Sequence, residues 1–214
     1  MARTTVHLLR HGEVHNPEGV LYGRLPGYKL SDLGVEMAER VAEHLLGGGH
    51  DVALLVSSPL ERAQQTAGPT AAAFELEVHT DDRLIEAGNH FQGLTFGVGD
   101  GALHHPRHWW HLRNPLRPSW GEPYREIAAR MLAAAADAAA HVPGREAVLV
   151  SHQLPIWTAR SALEGRRLWH DPRRRQCSLA SLTSIHYEDG VVVGTSYSEP
   201  AGDLLPGANK VAGA

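Results

Sequence analysis

Leu33–Ala67 reads LGVEMAERVAEHLLGGGHDVALLVSSPLERAQQTA. Its opening half carries apolar groups at Met37, Val41 and Leu45, with Ala38, Ala42 and Leu46 beside them. That is the spacing of one helical face, and Gly47-Gly48-Gly49 predicts where the helix stops. Val52–Val56 is a short apolar run of the length of a buried strand. Ser58-Pro59-Leu60-Glu61 then has the form of a capping box, with Ser as N-cap, Pro at the first helical position and Glu at the third. It predicts a second helix, bent or ended near Gly68-Pro69. Helix, glycine stop, buried strand and new helix in immediate succession are the repeat of an α/β protein.

The same alternation extends outward. Val6–Leu9 predicts a strand that ends at Arg10-His11-Gly12, and Glu77–His79 a third strand. Pro123 to His141 reads as a long Ala-rich helix, and Ala147–Val150 as a strand ending at Ser151-His152. Pro155–Leu163 predicts a helix stopped by Gly165. Leu179–Tyr187 and Val191–Tyr197 predict strands joined by the turn residues Glu188-Asp189-Gly190. The expected fold is α/β: a three-layer sandwich, with a largely parallel central sheet and helices on both faces. Between residues 93 and 121 the pattern is lost among Gly, Pro, His, Trp and Arg, over a length that predicts a lid-like insertion. The expected organisation is one domain over residues 1–199, followed by a flexible tail over 200–214 that is rich in Gly, Pro and Ala.

Composition narrows the function. The 214 residues are 43% hydrophobic and 21% charged, the usage of an ordinary globular chain with a core large enough to need no staple. A net charge of −4 argues against coating nucleic acid. No apolar run approaches a membrane span, and Met1–Arg10 lacks the long apolar region of a signal peptide. With Cys177 as the single cysteine, disulfide frameworks and multi-cysteine metal clusters are excluded, and a reducing, cytoplasmic location is expected. Fifteen histidines are the one oddity.

In open α/β sheets ligands bind beyond the carboxyl ends of the strands. Arg10 and His11 end the first strand, Ser57-Ser58 and Arg62 follow the second, and His152 follows the Ala147–Val150 strand. Three strand ends thus deliver two arginines and two histidines to one edge. Two guanidinium forks hold a phosphate dianion, and Arg62 lies in a helix first turn, where free N–H groups also favour an anion. A neutral imidazole is a competent nucleophile toward phosphorus, and a second histidine can stabilise the transferring charge. Such a site calls for no metal and no cofactor.

These residues resemble the motifs of the histidine phosphatase superfamily, also called phosphoglycerate-mutase-like. Leu8-Leu9-Arg10-His11-Gly12-Glu13 is similar to its Arg-His-Gly-Glu signature, Ser57–Ala67 to its second motif, and Val150-Ser151-His152 to its third. Leu84-Ile85-Glu86 with Gln92-Gly93-Leu94 resembles the segment carrying its acidic residue. The resemblance spans roughly residues 6–155, in the family's chain order. It implies that His11 is the nucleophile and that Arg10, Arg62 and His152 surround the phosphate. Glu86 would protonate the leaving oxygen and then activate water. Asn16, Gly23 and Gln153 are the further expected substrate contacts, although Asn16 lies one residue nearer the nucleophile than in the family pattern and Gln153 replaces its usual glycine. Gly12 is expected to let the backbone close up to the phosphate. Glu13 and Glu122 are the competing carboxylates, with supporting roles expected for both.

The expected activity is a metal-independent phosphomonoester hydrolase acting through phosphohistidine on a small phosphorylated metabolite. The alternatives are a cofactor-dependent phosphoglycerate mutase and a catalytically silent phosphate-binding module. Ile85-Glu86-Ala87, where the mutase branch has Asn-Glu-Arg, leans toward hydrolysis. His104 and His108 have the spacing of a zinc pair, but Pro106 and the lack of a matching acidic or Cys ligand favour a lid or plain surface. Arg166, Arg167 and Arg173–Arg175 read as a solvated basic face that could also anchor a second anionic group of the substrate. The expected partner is the small phosphorylated substrate, with neither nucleic acid nor membrane, and the chain could pair as a homodimer.

Overall fold

The computed structural model describes residues 3–94 and 121–208. Among the described residues there are four α-helices and six strands: β1 Arg3–Arg10, α1 Asp32–Gly47, β2 Val52–Ser57, α2 Glu61–Phe74, β3 Val78–Thr80, α3 Tyr124–His141, β4 Glu146–Ser151, α4 Gln153–Leu163, β5 Leu182–Glu188 and β6 Val191–Ser198. They form one sheet in the order β3-β2-β4-β1-β5-β6. The first three pairings are parallel, whereas β5 runs antiparallel to β1 and to β6. The expected largely parallel α/β sandwich is the observed one.

Two apolar layers hold it. On one face Val6, Leu8, Ala147, Leu149 and Ile185 pack against Ile127 and Met131 of α3 and Ile156 of α4. On the other, Leu9, Leu55, Val148 and Val150 pack against Met37, Val41 and Leu45 of α1 and Ala63 and Ala67 of α2. Alternate residues of β1 therefore feed opposite layers, as the pleat requires. A strand buried on both faces reads as a continuous apolar run, which is how β2 and β4 are written.

Three local expectations are corrected. The capping box at Ser58–Glu61 does not form: α2 begins at Glu61, with Leu60 before it and no side-chain cap. Ser58 Oγ accepts only a long 3.4 Å bond from Leu60 N–H and lies 2.8 Å from His152 Nε2, while Glu61 Oε2 accepts from the N–H of Gly27. Of the two outcomes expected at Gly68-Pro69, a bend or an end, the end is excluded, because the helix runs to Phe74. A helix-interior proline costs about 3 kcal/mol, and burial of Ala63, Thr66, Ala67 and Thr70 on either side of Pro69 offsets it. The chain from Pro200 was expected to be a flexible tail. Through Ala208 it instead buries Ala201, forms a 3-10 turn over Gly202–Gly207 and packs Leu204 and Leu205 onto the α1/α2 layer. Most of the expected 93–121 lid, with His104–His111, and the last six residues lie outside the described residues. Among the described residues no helix is long and apolar enough to cross a membrane.

Candidate active site

The parallel strands end in register. β1 pairs with β4 up to Arg10 against Ser151, and β4 with β2 up to Val150 against Ser57. Just beyond, His11 N–H donates to the carbonyl of Ser151 and Ser58 N–H to that of Val150. Arg10, His11, Ser58 and His152 are thereby held at one edge by main-chain bonds. Gly12 N–H donates to Thr66 Oγ at 3.1 Å, and Thr66 Oγ donates to the carbonyl of Arg62, tying the end of β1 to α2. A Cβ on Gly12 would run into the carbonyl of Gly34, where the first turn of α1 crosses the loop.

His11 is fully buried. Its Nδ1 lies 2.8 Å from the carbonyl of Gly12, which can only accept, so Nδ1 carries the proton and Nε2 presents its lone pair. Nε2 has no partner. Burial, then the guanidiniums of Arg62 and Arg10, push the His11 pKa well below the ordinary histidine value. The ring is thus held neutral, the form a nucleophile needs. The His152 ring lies 5.1 Å away, centroid to centroid. Burial, Arg62, His11 and Arg10 keep it neutral as well. Its Nε2 is 2.8 Å from Ser58 Oγ. If Ser58 donates there, Nδ1–H becomes a donor, and Nδ1 is another buried atom without a partner.

Arg62 is 1% exposed. Its Nη2 donates to the carbonyl of Gly23 at 2.7 Å and its guanidinium lies 4.7 Å from the centre of the Tyr22 ring. Arg10 Nη1 donates to the carbonyl of Cys177 at 2.7 Å. In both arginines Nε is buried and unpartnered. Glu86 follows a 3-10 turn after β3, and its Oε1 accepts from Ala87 N–H at 2.7 Å while Oε2 has no partner. Burial raises its pKa, against the pull of that N–H and of Arg62, Arg175 and Arg10, so the carboxyl tends to hold its proton.

The sequence profile of the histidine phosphatase superfamily (branch 1) matches residues 6–199. The chain belongs to that superfamily. The uncharacterized protein Rv0525 of Mycobacterium tuberculosis is 56% identical over 198 residues, covering 92% of this chain and 97% of its own. The "Probable phosphoglycerate mutase GpmB" of Yersinia pestis is 30% identical, covering 92% of each chain. Among solved structures, the mycobacterial glucosyl-3-phosphoglycerate phosphatase Rv2419c superposes with a TM-score of 0.72 at 28% identity, covering 92% of this chain and 98% of that one.

The remaining expected site residues of this histidine phosphatase fall into two groups. Gly23 and Gln153 touch the cluster. Gly23 has a positive φ of 43°, and a Cβ on it would come within 2.7 Å of Gln92 Oε1, so only glycine brings its carbonyl to Arg62 here. Gln153 opens α4, with Nε2 3.3 Å from the carbonyl of Cys177 and Oε1 3.3 Å from Arg175 Nη1. Asn16 makes its hydrogen bonds elsewhere: both ends of its amide go to the main chain of Val20, closing its own loop.

The competing carboxylates are occupied as supports. Glu13 Oε2 accepts from Ser31 Oγ, and Ser31 caps α1. Glu122 bridges Arg24 and Arg130, while Arg24 Nε donates to the carbonyl of Glu86 at 2.6 Å. Glu122 therefore stiffens the segment that carries Glu86 rather than facing the reaction. Sequence reasoning assigns Tyr22 no role of its own, Ser58 that of an N-cap, and Arg175 only membership of a basic run. Arg173 and Arg174 are exposed, but Arg175 turns inward, donating to His170 Nε2 at 2.8 Å and to Gln153. No spacing in the basic run distinguishes it from its neighbours.

Proposed function

We propose that this chain is a phosphomonoester hydrolase that passes the phosphoryl group of a small metabolite through His11 to water. One observation carries the reading: His11 Nε2, Arg10 Nε, Arg62 Nε, His152 Nδ1 and Glu86 Oε2 are all buried polar atoms without partners among the described residues. A buried orphan costs roughly 1–3 kcal/mol, and a nucleophilic nitrogen with four such atoms around it makes sense as a site for a phosphate and its leaving group. In the first step the Nε2 lone pair attacks phosphorus, the phosphorus–oxygen ester bond breaks, and the leaving oxygen takes the Glu86 proton. In the second, water attacks the phosphohistidine, the phosphorus–nitrogen bond breaks, and Glu86 accepts the proton from water. The two guanidiniums and the His152 N–H cover the charge on the transferring oxygens, so the chemistry calls for no divalent ion and no cofactor. The half-buried Arg175, on the same side as Glu86 and Arg10, supports a substrate with a second anionic group near its phosphate. A free metabolite of this kind fits a cytoplasmic enzyme.

Rapid quench with labelled 4-nitrophenyl phosphate is expected to trap acid-labile, base-stable label on His11, with release of inorganic phosphate and unchanged turnover in EDTA. Comparable turnover by His11→Ala would overturn the covalent route. Rapid isomerisation of 3-phosphoglycerate with little phosphate release would replace the hydrolase by a mutase.

A further inference from the structure

Midway along β1, beside the amino end of β4, a second histidine cluster stands apart from the candidate active site. His7 Nε2 lies 3.0 Å, and His50 Nδ1 2.8 Å, from the same oxygen of Glu146, Oε2. The three ligating atoms all fall within 4.8 Å of one another. We propose that His7, His50 and Glu146 form a binding site for one zinc-class divalent cation that clips the start of the sheet together and takes no part in phosphoryl transfer.

The donor set suits that class of ion. Two imidazoles and a carboxylate match zinc and its neighbours rather than calcium or magnesium. Bonds of about 2.0–2.1 Å in a tetrahedron put ligand atoms roughly 3.3 Å apart, so a shift of a few tenths of an ångström opens the observed 2.8 and 3.0 Å spacings around an ion. Solvent would complete the coordination, because His50 and Glu146 are only half-buried while His7 is buried.

The cluster is also built as metal sites are. The other nitrogen of His7, Nδ1, lies 2.7 Å from Ser184 Oγ on β5, an outer partner of the kind that orients a ligating imidazole. Without an ion Nε2–H donates to the carboxylate; on binding, the tautomer in which Nδ1 donates to Ser184 turns the Nε2 lone pair toward the cation, which takes the place of that proton. Main-chain bonds fix the two outer ligands: His50 N–H donates to Leu45 and Glu146 N–H to Asp51. Gly48 makes room for the His50 ring, since a Cβ there would come within 2.9 Å of its Cδ2.

The three ligands come from β1, the start of β4 and the α1–β2 connection. An ion here ties together segments that are remote in sequence and adjacent in space. Four residues of extended strand, about 13 Å, separate His7 from His11. The site is therefore independent of the proposed hydrolysis and would survive its failure.

Cobalt(II), a spectroscopic stand-in for zinc, tests the proposal on the untagged full-length chain stripped of metal. Wild type is expected to develop a visible absorption band that saturates at one equivalent and is displaced by zinc, and zinc is expected to raise its thermal midpoint. His50→Ala and the near-isosteric Glu146→Gln are each expected to weaken cobalt binding at least tenfold, with metal-free hydrolysis of 4-nitrophenyl phosphate within twofold of wild type. Two controls address the other histidines: His11→Ala, and a fourfold alanine variant at His104, His105, His108 and His111. Both are expected to keep the band. Absence of a saturable band, its persistence in both site variants, or its loss in either control would overturn the site.

Discussion

Strand β1 delivers His11 just past its carboxyl end and places His7 at mid-strand beside the amino end of β4, and the two places use the same imidazole in opposite ways. At the carboxyl end His11 and His152 face each other among the guanidiniums of Arg10 and Arg62, with Nε2 of one and Nδ1 of the other left unpartnered. At the amino end His7 and His50 converge on one carboxylate oxygen, and the inward nitrogen of each is hydrogen-bonded. The difference lies in the neighbours. Cations around a buried imidazole hold it neutral and attract an anion. A carboxylate between two imidazoles attracts a proton or a metal. Residue type alone says little about a histidine; the sign of the charge beside it decides what it can bind.

Replacing the proposed proton carrier is expected to break the carboxyl end most severely. Glu86→Gln keeps an acceptor for Ala87 N–H but can neither donate nor accept the catalytic proton, so single-turnover rates are expected to fall roughly 10²–10⁴-fold. The first step suffers less with an aryl phosphate, whose phenolate needs little protonation, so phosphoenzyme accumulates with that substrate. Small and equal losses for aryl and alkyl phosphates would remove Glu86 from the role. Next in size is Arg62→Lys, because an ammonium cannot fork onto two phosphate oxygens. The loss expected in kcat/KM corresponds to roughly 2–5 kcal/mol, and near-wild-type kinetics would show that only charge matters there.

Smaller effects sharpen the contrast. Arg175→Ala is expected to raise KM about tenfold for phosphomonoesters carrying a carboxylate, the size of one charge-assisted hydrogen bond, and to leave 4-nitrophenyl phosphate unaffected. A KM shift common to all substrates would deny it that selectivity. The smallest effect is on stability. His11 and His152 have folded-state pKa values well below 6.5, so beneath that pH the unfolded chain binds protons that the folded one refuses. Their burial therefore erodes stability as pH falls from about 6.5 toward the depressed values. Glu146 has a lowered folded-state pKa, so its contribution is present above the ordinary carboxyl value of 4.5 and is lost as pH falls through the folded one. Urea midpoints between pH 7 and 5 are expected to drop in wild type and to drop less in His11→Asn. Equal slopes would place the acid sensitivity elsewhere.

The element pattern and most of the catalytic cluster were legible in the chain because both are local. An apolar run bounded by Arg10-His11 or Ser151-His152 is at once a strand and its functional end, and parallel pairing then brings those ends together. Misreadings occurred where one side chain had two local uses open to it. Ser58 has the sequence context of an N-cap, but its hydroxyl lies against His152, ninety-four positions away. Asn16 stands near the expected phosphate contact, yet Val20 engages both ends of its amide. Pro69 would end an isolated helix, and packing on the sheet carries the helix through it.

Sequence by itself determined the α/β alternation, the strand-end placement of Arg10, His11, Arg62 and His152, and the chemistry those groups can perform. Periodicity, turn residues and motif spacing act over a few positions, and a linear reading resolves that range. Tertiary structure alone decided which lone pairs and protons stay unpartnered, that Arg175 turns inward while Arg173 and Arg174 face solvent, and that His7, His50 and Glu146 meet. Those outcomes depend on burial and on charges brought together from distant segments. Desolvation and Coulomb interaction act through space, and no spacing along the chain encodes them.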